Sequence, residues 1–211
     1  MPFEPPVAPV PIRQEILTEF RREWRRLAAP GPTWSGAERV EIAAAARGAG
    51  AGSGGGASGA VPEDAVAAAR LIAAEPAVIR REWVEERLAV LGSARYVELV
   101  GVVSRLAAVD GFHQALGLPL EPLPEPEPGS PTGEVDDRAR PGRGWVPMVG
   151  ATSIVGALSI VPAEMAAQES LHGPIYLTYE GMADPDFHRG LHRSQMELIA
   201  ARVSAQNECF Y

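Results

Sequence analysis

Residues 94–117 have the sequence "ARYVELVGVVSRLAAVDGFHQALG". Small and apolar residues recur in it at intervals of about three or four positions: Val97, Val100, Val103 or Ser104, and Ala107 or Ala108. This spacing is typical of one face of an α-helix. Glycine readily adopts the left-handed conformation that ends many helices, so Gly117 fits the C-terminal cap. The stretch predicts one long helix that terminates near Gly117.

The residues before this stretch follow the same helical pattern. Glu15 to Leu27 predicts a helix with an apolar face, and Ser35 with Glu38 forms the sequence pattern of a capping box at the start of the next helix. The apolar face consists of Ile16, Phe20, Trp24 and Leu27. Further helical patterns occupy residues 62–76 and 77–92. Alanine is abundant and aromatic residues make up 6%, so we expect an all-α protein.

Three segments interrupt the helical pattern. Residues 1–12 form a Pro-rich leader, and the glycine-rich residues 48–60 lose too much backbone entropy to hold a helix, so we expect a flexible loop. Residues 119–147 form a Pro-rich, semi-rigid linker and the clearest domain boundary. We therefore expect one helical domain at 13–118 and the N-terminal part of a second at 148–211.

Charge and hydropathy exclude some partners. The net charge of −8 and the isoelectric point near 5.1 argue against binding to nucleic acid, which requires clustered cations. Arginines do cluster in the first helix, but with interspersed glutamates they predict an ordinary solvated face: Arg21, Arg22, Arg25 and Arg26 with Glu19 and Glu23. The most apolar run, 148–161, is too short for a bilayer span, and no secretory signal opens the chain. We expect a soluble cytoplasmic protein without membrane contact.

The chain contains one cysteine, Cys209, twelve residues after Glu197. In a continuous helix these residues would lie about 18 Å apart along the axis, so the helix must break near Asn207 for the carboxylate to approach the thiol. A new helix capped by Asn207 would lower the pKa of Cys209. The alternative is that Cys209 is a small buried hydrophobic residue without chemistry.

Residues 193–211, "RSQMELIAARVSAQNECFY", resemble the signature of the alkylhydroperoxidase D and carboxymuconolactone decarboxylase superfamily. In its redox members, a glutamate in a helix of the form E-L-I-A-x-R-V-S-A-x-N precedes the first cysteine of a C-x-x-C pair by twelve residues, and a histidine follows. The matching residues are Glu197, Leu198, Ile199, Ala200, Arg202, Val203, Ser204, Ala205, Asn207 and Cys209.

The resemblance implies a thiol-dependent peroxidase or disulfide reductase with a helical-bundle fold. Glu197 would be the proton-relay carboxylate and Cys209 the resolving thiol, while the peroxide-attacking cysteine and the histidine have no counterpart in the 211 residues. We therefore expect a fragment of a longer reading frame that does not turn over peroxide by itself. The implied partners are a hydroperoxide substrate, a dithiol protein reductant and further copies of the chain, and no cofactor is expected.

A fainter similarity links the two halves. Residues 34–52 align without gaps to residues 191–209, but Val40 then stands at the position of Glu197 and Gly52 at that of Cys209. Residues 96–119 also resemble the helix that follows the active-site pair in the family. This pattern predicts a tandem duplication, with a degenerate, structural first copy at 13–118 and a second copy that begins after the linker.

Other candidate residues have simpler interpretations. His188 and His192 are four apart but lack a third metal ligand at standard spacing, so a surface role or a role at a helix N-terminus is favoured and no metal is expected. His113 and His172 are isolated in the sequence. Two alternatives to the redox enzyme stay open: a non-catalytic helical scaffold for oligomer contacts, and a decarboxylase or lyase on the same fold, which the Glu-to-Cys spacing disfavours.

Overall fold

The computed structural model describes residues 10–48, 61–151 and 155–208. These residues form eight α-helices and one hairpin of two-residue strands, so the protein is all-α as predicted. The helices are α1 (Gln14–Ala28), α2 (Gly36–Ala46), α3 (Glu63–Ala74), α4 (Arg81–Leu91), α5 (Ser93–Ala115), α6 (Pro162–Ile175), α7 (Tyr179–Ala183) and α8 (Arg193–Gln206), and the strands are β1 (His188–Arg189) and β2 (Leu191–His192). Short 3-10 helices occupy Pro76–Val78 and Val155–Leu158.

Helix α5 is the central element of the fold. It packs against α1, α2, α3, α4 and α6, and its residues Leu99, Val103 and Val109 are buried. The predicted end of this helix is confirmed, since Gly117 has a φ of +66° and the Leu118 N–H donates to the His113 carbonyl at 2.8 Å. This hydrogen bond satisfies a carbonyl that the helix end would otherwise leave free.

Helices α1 and α2 confirm two further predictions. The four residues that predicted an apolar face on α1, Ile16, Phe20, Trp24 and Leu27, are all buried. At the start of α2 the Glu38 N–H donates to Ser35 Oγ at 3.3 Å, while the Ser35 N–H donates to the Glu38 carboxylate at 2.7 Å. These reciprocal bonds form the capping box and fix where α2 begins.

Helix α6 belongs to the same core as α1 and α5. It packs on both, and Leu171 together with Leu158, Ile160 and Val161 joins the hydrophobic cluster built by residues of α1 to α5. The observed packing therefore groups residues 155–175 with 13–118, which corrects the predicted division at residue 148. The physical reason is that α6 buries its apolar face and the charged side chain of Glu164 against the first half of the chain.

The predicted linker, 119–147, is fixed to this core along its length. The indole N–H of Trp24 donates to the Pro122 carbonyl at 2.8 Å, and the Glu127 N–H donates to the Ala28 carbonyl at 2.8 Å. Further along, the Asp136 N–H donates to the Ile160 carbonyl at 2.9 Å. The segment is thus a strap across the body rather than a spacer between two separate cores.

Helix α8 lies apart from the body formed by α1 to α6. Its main packing partner among the described elements is strand β2, and none of α1 to α6 shares a substantial face with it. Within the described ranges, no helix combines the length and hydropathy that a membrane span requires. Most of the predicted leader, the glycine-rich loop beyond Gly48, and Cys209 lie outside the described residues.

Candidate functional site

The candidate site begins where the β1–β2 hairpin meets α8. His192 is the N-cap of α8, and its Nδ1 accepts the Ser194 N–H at 3.1 Å, while the Gln195 side chain accepts the His192 N–H at 2.9 Å. The Arg193 guanidinium donates to the Met182 and Asp184 carbonyls at the end of α7. These contacts hold the first turn of α8 against the hairpin and α7, and they confirm the predicted helix-start role of His192.

Glu197, the predicted proton-relay carboxylate, lies one turn into α8. Its carboxylate pairs with the Arg193 Nε at 3.3 Å, and 47% of its side chain is exposed. The neighbouring Tyr176 has a raised pKa, firstly because it is partly buried and secondly because the negative charge of Glu197 disfavours the phenolate. Glu197 is therefore an accessible carboxylate with a phenol and a guanidinium as neighbours.

The helix that carries Glu197 ends before the cysteine. Helix α8 stops at Gln206, Asn207 is its C-cap, and Glu208 has a φ of +52° in the left-handed region. The predicted break at Asn207 is thus confirmed. Cys209 itself lies outside the described residues, so the structure does not bring it together with Glu197 or keep the two apart.

Three large apolar side chains of α8 face solvent. Leu198, Ile199 and Val203 are 72%, 54% and 48% exposed, whereas Met196 is the buried residue of this helix. Large apolar side chains gain free energy when they leave water, so a helix that exposes three of them has an uncovered face.

Two of the histidines lie together in the hairpin, and the other two lie elsewhere. In the hairpin the rings of His188 and His192 have their centroids 4.5 Å apart, with the His188 Nδ1 2.6 Å from the Asp186 carbonyl. Across the described ranges, no group of three or more His, Cys, Asp or Glu side chains is arranged to hold a metal ion. The isolated His113 and His172 hydrogen-bond the carbonyls of Pro119 and Leu177, each at 2.8 Å.

Sequence reasoning missed a cluster of charges inside the body, which we call the buried charge network. Its five side chains come from four helices: Glu23 (α1), Arg39 (α2), Glu98 and Arg105 (α5), and Glu164 (α6). Arg39 pairs with Glu98 and, at 3.0 Å, with Glu164. Arg105 pairs with Glu164 at 2.5 Å and with Glu23 at 2.7 Å. Each of the five is at most 5% exposed.

The network corrects the prediction that the charged residues of α1 form an ordinary solvated face. Glu19 and Glu23 are buried, and Glu19 accepts hydrogen bonds from Arg26 at 3.0 Å and from Ser170 Oγ at 2.7 Å. The arginines lie closer to solvent and cover these carboxylates. The sequence of α5 did contain a signal for this burial. Glu98 and Arg105 are seven residues apart within an apolar run, and this spacing places both charged side chains on the same face of the helix.

The two glutamates that share Arg39 differ in their proton affinity. Burial raises the pKa of Glu98 above its ordinary value, although Arg39 and hydrogen bonds from Thr33 oppose this shift. Burial would also raise the pKa of Glu164, but Arg105 and Arg39 outweigh it and the pKa is lowered. The difference follows from the number of guanidinium partners, two for Glu164 and one for Glu98.

Comparisons with protein-family models, with curated proteins and with solved structures each returned no match. The described residues show an all-α protein with a charge-containing helical body and, in α8, a helix that carries an accessible carboxylate.

Proposed function

We propose that α8 and the residues after it belong to a thiol-based redox site, in a thiol-dependent peroxidase or disulfide reductase of the alkylhydroperoxidase D type. The observation that supports this most strongly is the end of α8 at Gln206, which breaks the helix between Glu197 and Cys209. Between Glu197 and Gln206 the helix still carries the chain about 13.5 Å at 1.5 Å per residue. A turn after Gln206 lets the following residues fold back towards Glu197, which a continuous helix does not allow.

The chemistry assigns Glu197 and Cys209 separate roles. A peroxide-attacking thiolate breaks the O–O bond of a hydroperoxide, becomes a sulfenic acid and releases an alcohol once the alkoxide takes a proton. The resolving thiol, Cys209, then displaces water from the sulfenic acid to form a disulfide, which a dithiol protein reduces. Glu197 accepts the proton that Cys209 loses. The 211 residues contain one cysteine, so the step open to testing in this chain is the activation of Cys209.

The test measures how fast Cys209 exchanges with a small aromatic disulfide as a function of pH. Glu197→Gln removes the base and leaves the side-chain size unchanged, so we expect the exchange at pH 7 to slow by about tenfold or more. The matched control is Glu85→Gln, which makes the same charge change on the exposed face of α4 and leaves the rate unchanged.

One outcome of this experiment would contradict the redox proposal. If Cys209 reacts at the same rate in both variants, and only above the ordinary thiol pKa of about 8.5, it is a spectator and the redox proposal fails.

A second candidate function is a non-catalytic helical scaffold that associates through α8. The exposed apolar side chains of Leu198, Ile199 and Val203 favour it, because such a face is stabilised when another surface covers it. Sedimentation analysis tests this candidate, with a triple variant in which these three residues are replaced by glutamine. A self-associating scaffold becomes a smaller species in that variant.

The control replaces three exposed apolar residues outside α8 by glutamine: Val78, Val90 and Leu120. If both triple variants sediment like the unmodified chain, α8 does not mediate self-association.

A further inference from the structure

A small, partly open cavity lies in the helical body, next to the buried charge network. Its volume is about 20 Å³, and its walls combine charged and apolar side chains. The charged ones are Glu23, Arg39 and Arg105, and the apolar ones are Trp24, Leu27, Val102 and Leu106. A water molecule needs roughly 10–15 Å³ of such volume together with two to four polar partners, so the cavity has room for one.

The ion pairs around this cavity form an open chain. Arg39 pairs with Glu164 at 3.0 Å, Glu164 with Arg105 at 2.5 Å, and Arg105 with Glu23 at 2.7 Å. Arg39, which also pairs with Glu98, and Glu23, which also pairs with Arg26, both line the cavity but do not pair with each other in the described structure.

Arg39 supplies a donor at one end of this chain. Within the described residues its Nε–H is buried and has no hydrogen-bond partner, while the side chain is 3% exposed. A buried donor without a partner destabilises the fold, which makes a bound acceptor favourable. The carboxylate of Glu23 offers an acceptor for whatever donates from the same cavity.

We infer that the cavity is a binding site for a single water molecule. The water accepts the Arg39 Nε–H and donates to the Glu23 carboxylate, which closes the chain of charges into a ring. The ring joins α1, α2, α5 and α6 through Glu23, Arg39, Arg105 and Glu164. A dry cavity is the alternative, and it leaves the Arg39 donor without a partner.

The test counts long-lived internal water in solution by oxygen-17 magnetic relaxation dispersion. Val102→Ile adds one methylene group to the wall of the cavity, so the variant retains one long-lived water fewer than the unmodified chain. Val103→Ile adds the same group at a neighbouring buried position of α5 that does not line the cavity, and it leaves the count unchanged. Equal counts in all three proteins overturn the inference.

A high-resolution crystal structure of the unmodified protein keeps the test independent of whether the variants fold. The inference requires an ordered water within hydrogen-bond distance of both Arg39 Nε and the Glu23 carboxylate. It is overturned by a map without density at that position, or by one in which Arg39 Nε bonds directly to a protein acceptor.

Discussion

The helical body buries charged side chains, whereas helix α8 exposes apolar ones. In the body five charged side chains of the buried charge network are at most 5% exposed, whereas on α8 three large aliphatic side chains are about half exposed or more. Charges tolerate burial only when they are paired and hydrogen-bonded, and those in the body are paired across four helices. In this protein the partners of a residue, and not its type alone, decide whether it is buried.

The body and α8 also differ in how accessible their charged groups are. The body encloses its charged groups and offers beside them a cavity of about 20 Å³, which is too small for an organic substrate. Helix α8 instead presents the Glu197 carboxylate to solvent next to Arg193 and Tyr176. The proposed redox site therefore involves the α8 region and not the cavity in the body.

The largest effect is expected from breaking the network at its most connected carboxylate. Glu164→Gln leaves the buried guanidinium groups of Arg39 and Arg105 short of one negative charge, so the free energy of unfolding falls by about 3 kcal/mol or more. Urea denaturation measures this change. The control Glu85→Gln, an exposed residue of α4, stays within about 0.5 kcal/mol. Equal values for the two variants would show that the network is not a unit of stability.

The two glutamates that share Arg39 should respond to pH with opposite signs. The pKa of Glu164 is lowered by folding, so its contribution to stability is present above about pH 4.3 and is lost as the pH falls through the folded pKa. The pKa of Glu98 is raised, so the ionisation of Glu98 makes the fold less stable as the pH rises from about 4.3 through its folded value.

Urea titrations from acid to neutral pH measure both trends. The stability deficit of Glu164→Gln relative to the unmodified chain grows as the pH rises, whereas that of Glu98→Gln shrinks. Parallel curves for the two variants would contradict the assigned directions.

A smaller effect is expected from two glycines of α5. A Cβ at Gly101 overlaps the Glu164 carboxylate, while a Cβ at Gly111 meets nothing within 4 Å. Gly101→Ala therefore displaces the network and destabilises the protein by about 1–3 kcal/mol. Gly111→Ala stabilises it by up to about 1 kcal/mol, because alanine favours the helix. Thermal unfolding of both variants measures this contrast. If both substitutions shift the unfolding temperature in the same direction, the Glu164 carboxylate does not require a glycine at position 101.

The smallest effect is expected on α8. Ile199→Gln changes an exposed side chain that does not contribute to the core, so the free energy of unfolding of the monomer changes by no more than about 0.5 kcal/mol. The matched change in the body, Ile42→Gln at a fully buried position of α2, destabilises strongly because it buries an amide without a partner. Denaturation at low protein concentration separates the two, and a large loss for Ile199→Gln would mean that α8 is covered in the folded protein.

Local sequence patterns predicted much of the secondary structure. The apolar spacing on α1, the capping box at Ser35, the end of α5 at Gly117 and the break of α8 at Asn207 depend on neighbours within one or two helical turns. For the candidate site, the sequence predicted the helix that carries Glu197 and its end, but not the neighbouring Tyr176, which is brought close by the turn after α6.

Long-range pairing was beyond those patterns. Arg39 and Glu164 are 125 residues apart in the chain, and Arg105 and Glu23 are 82 apart, so no local window contains both partners. The same limitation led to the predicted division at residue 148, because the Pro-rich composition of 119–147 does not reveal that the segment is fastened to the body.

The sequence by itself therefore determined the all-α class, most helix bounds and the Glu197-to-Cys209 spacing, since these follow from local backbone preferences and from the period of 3.6 residues. Only the tertiary structure decided that α6 joins the first core, that the charges of α1 and α5 are buried, and that the apolar face of α8 is exposed. Burial is a property of the assembled packing, because a charge enters the core only when its distant partners arrive with it.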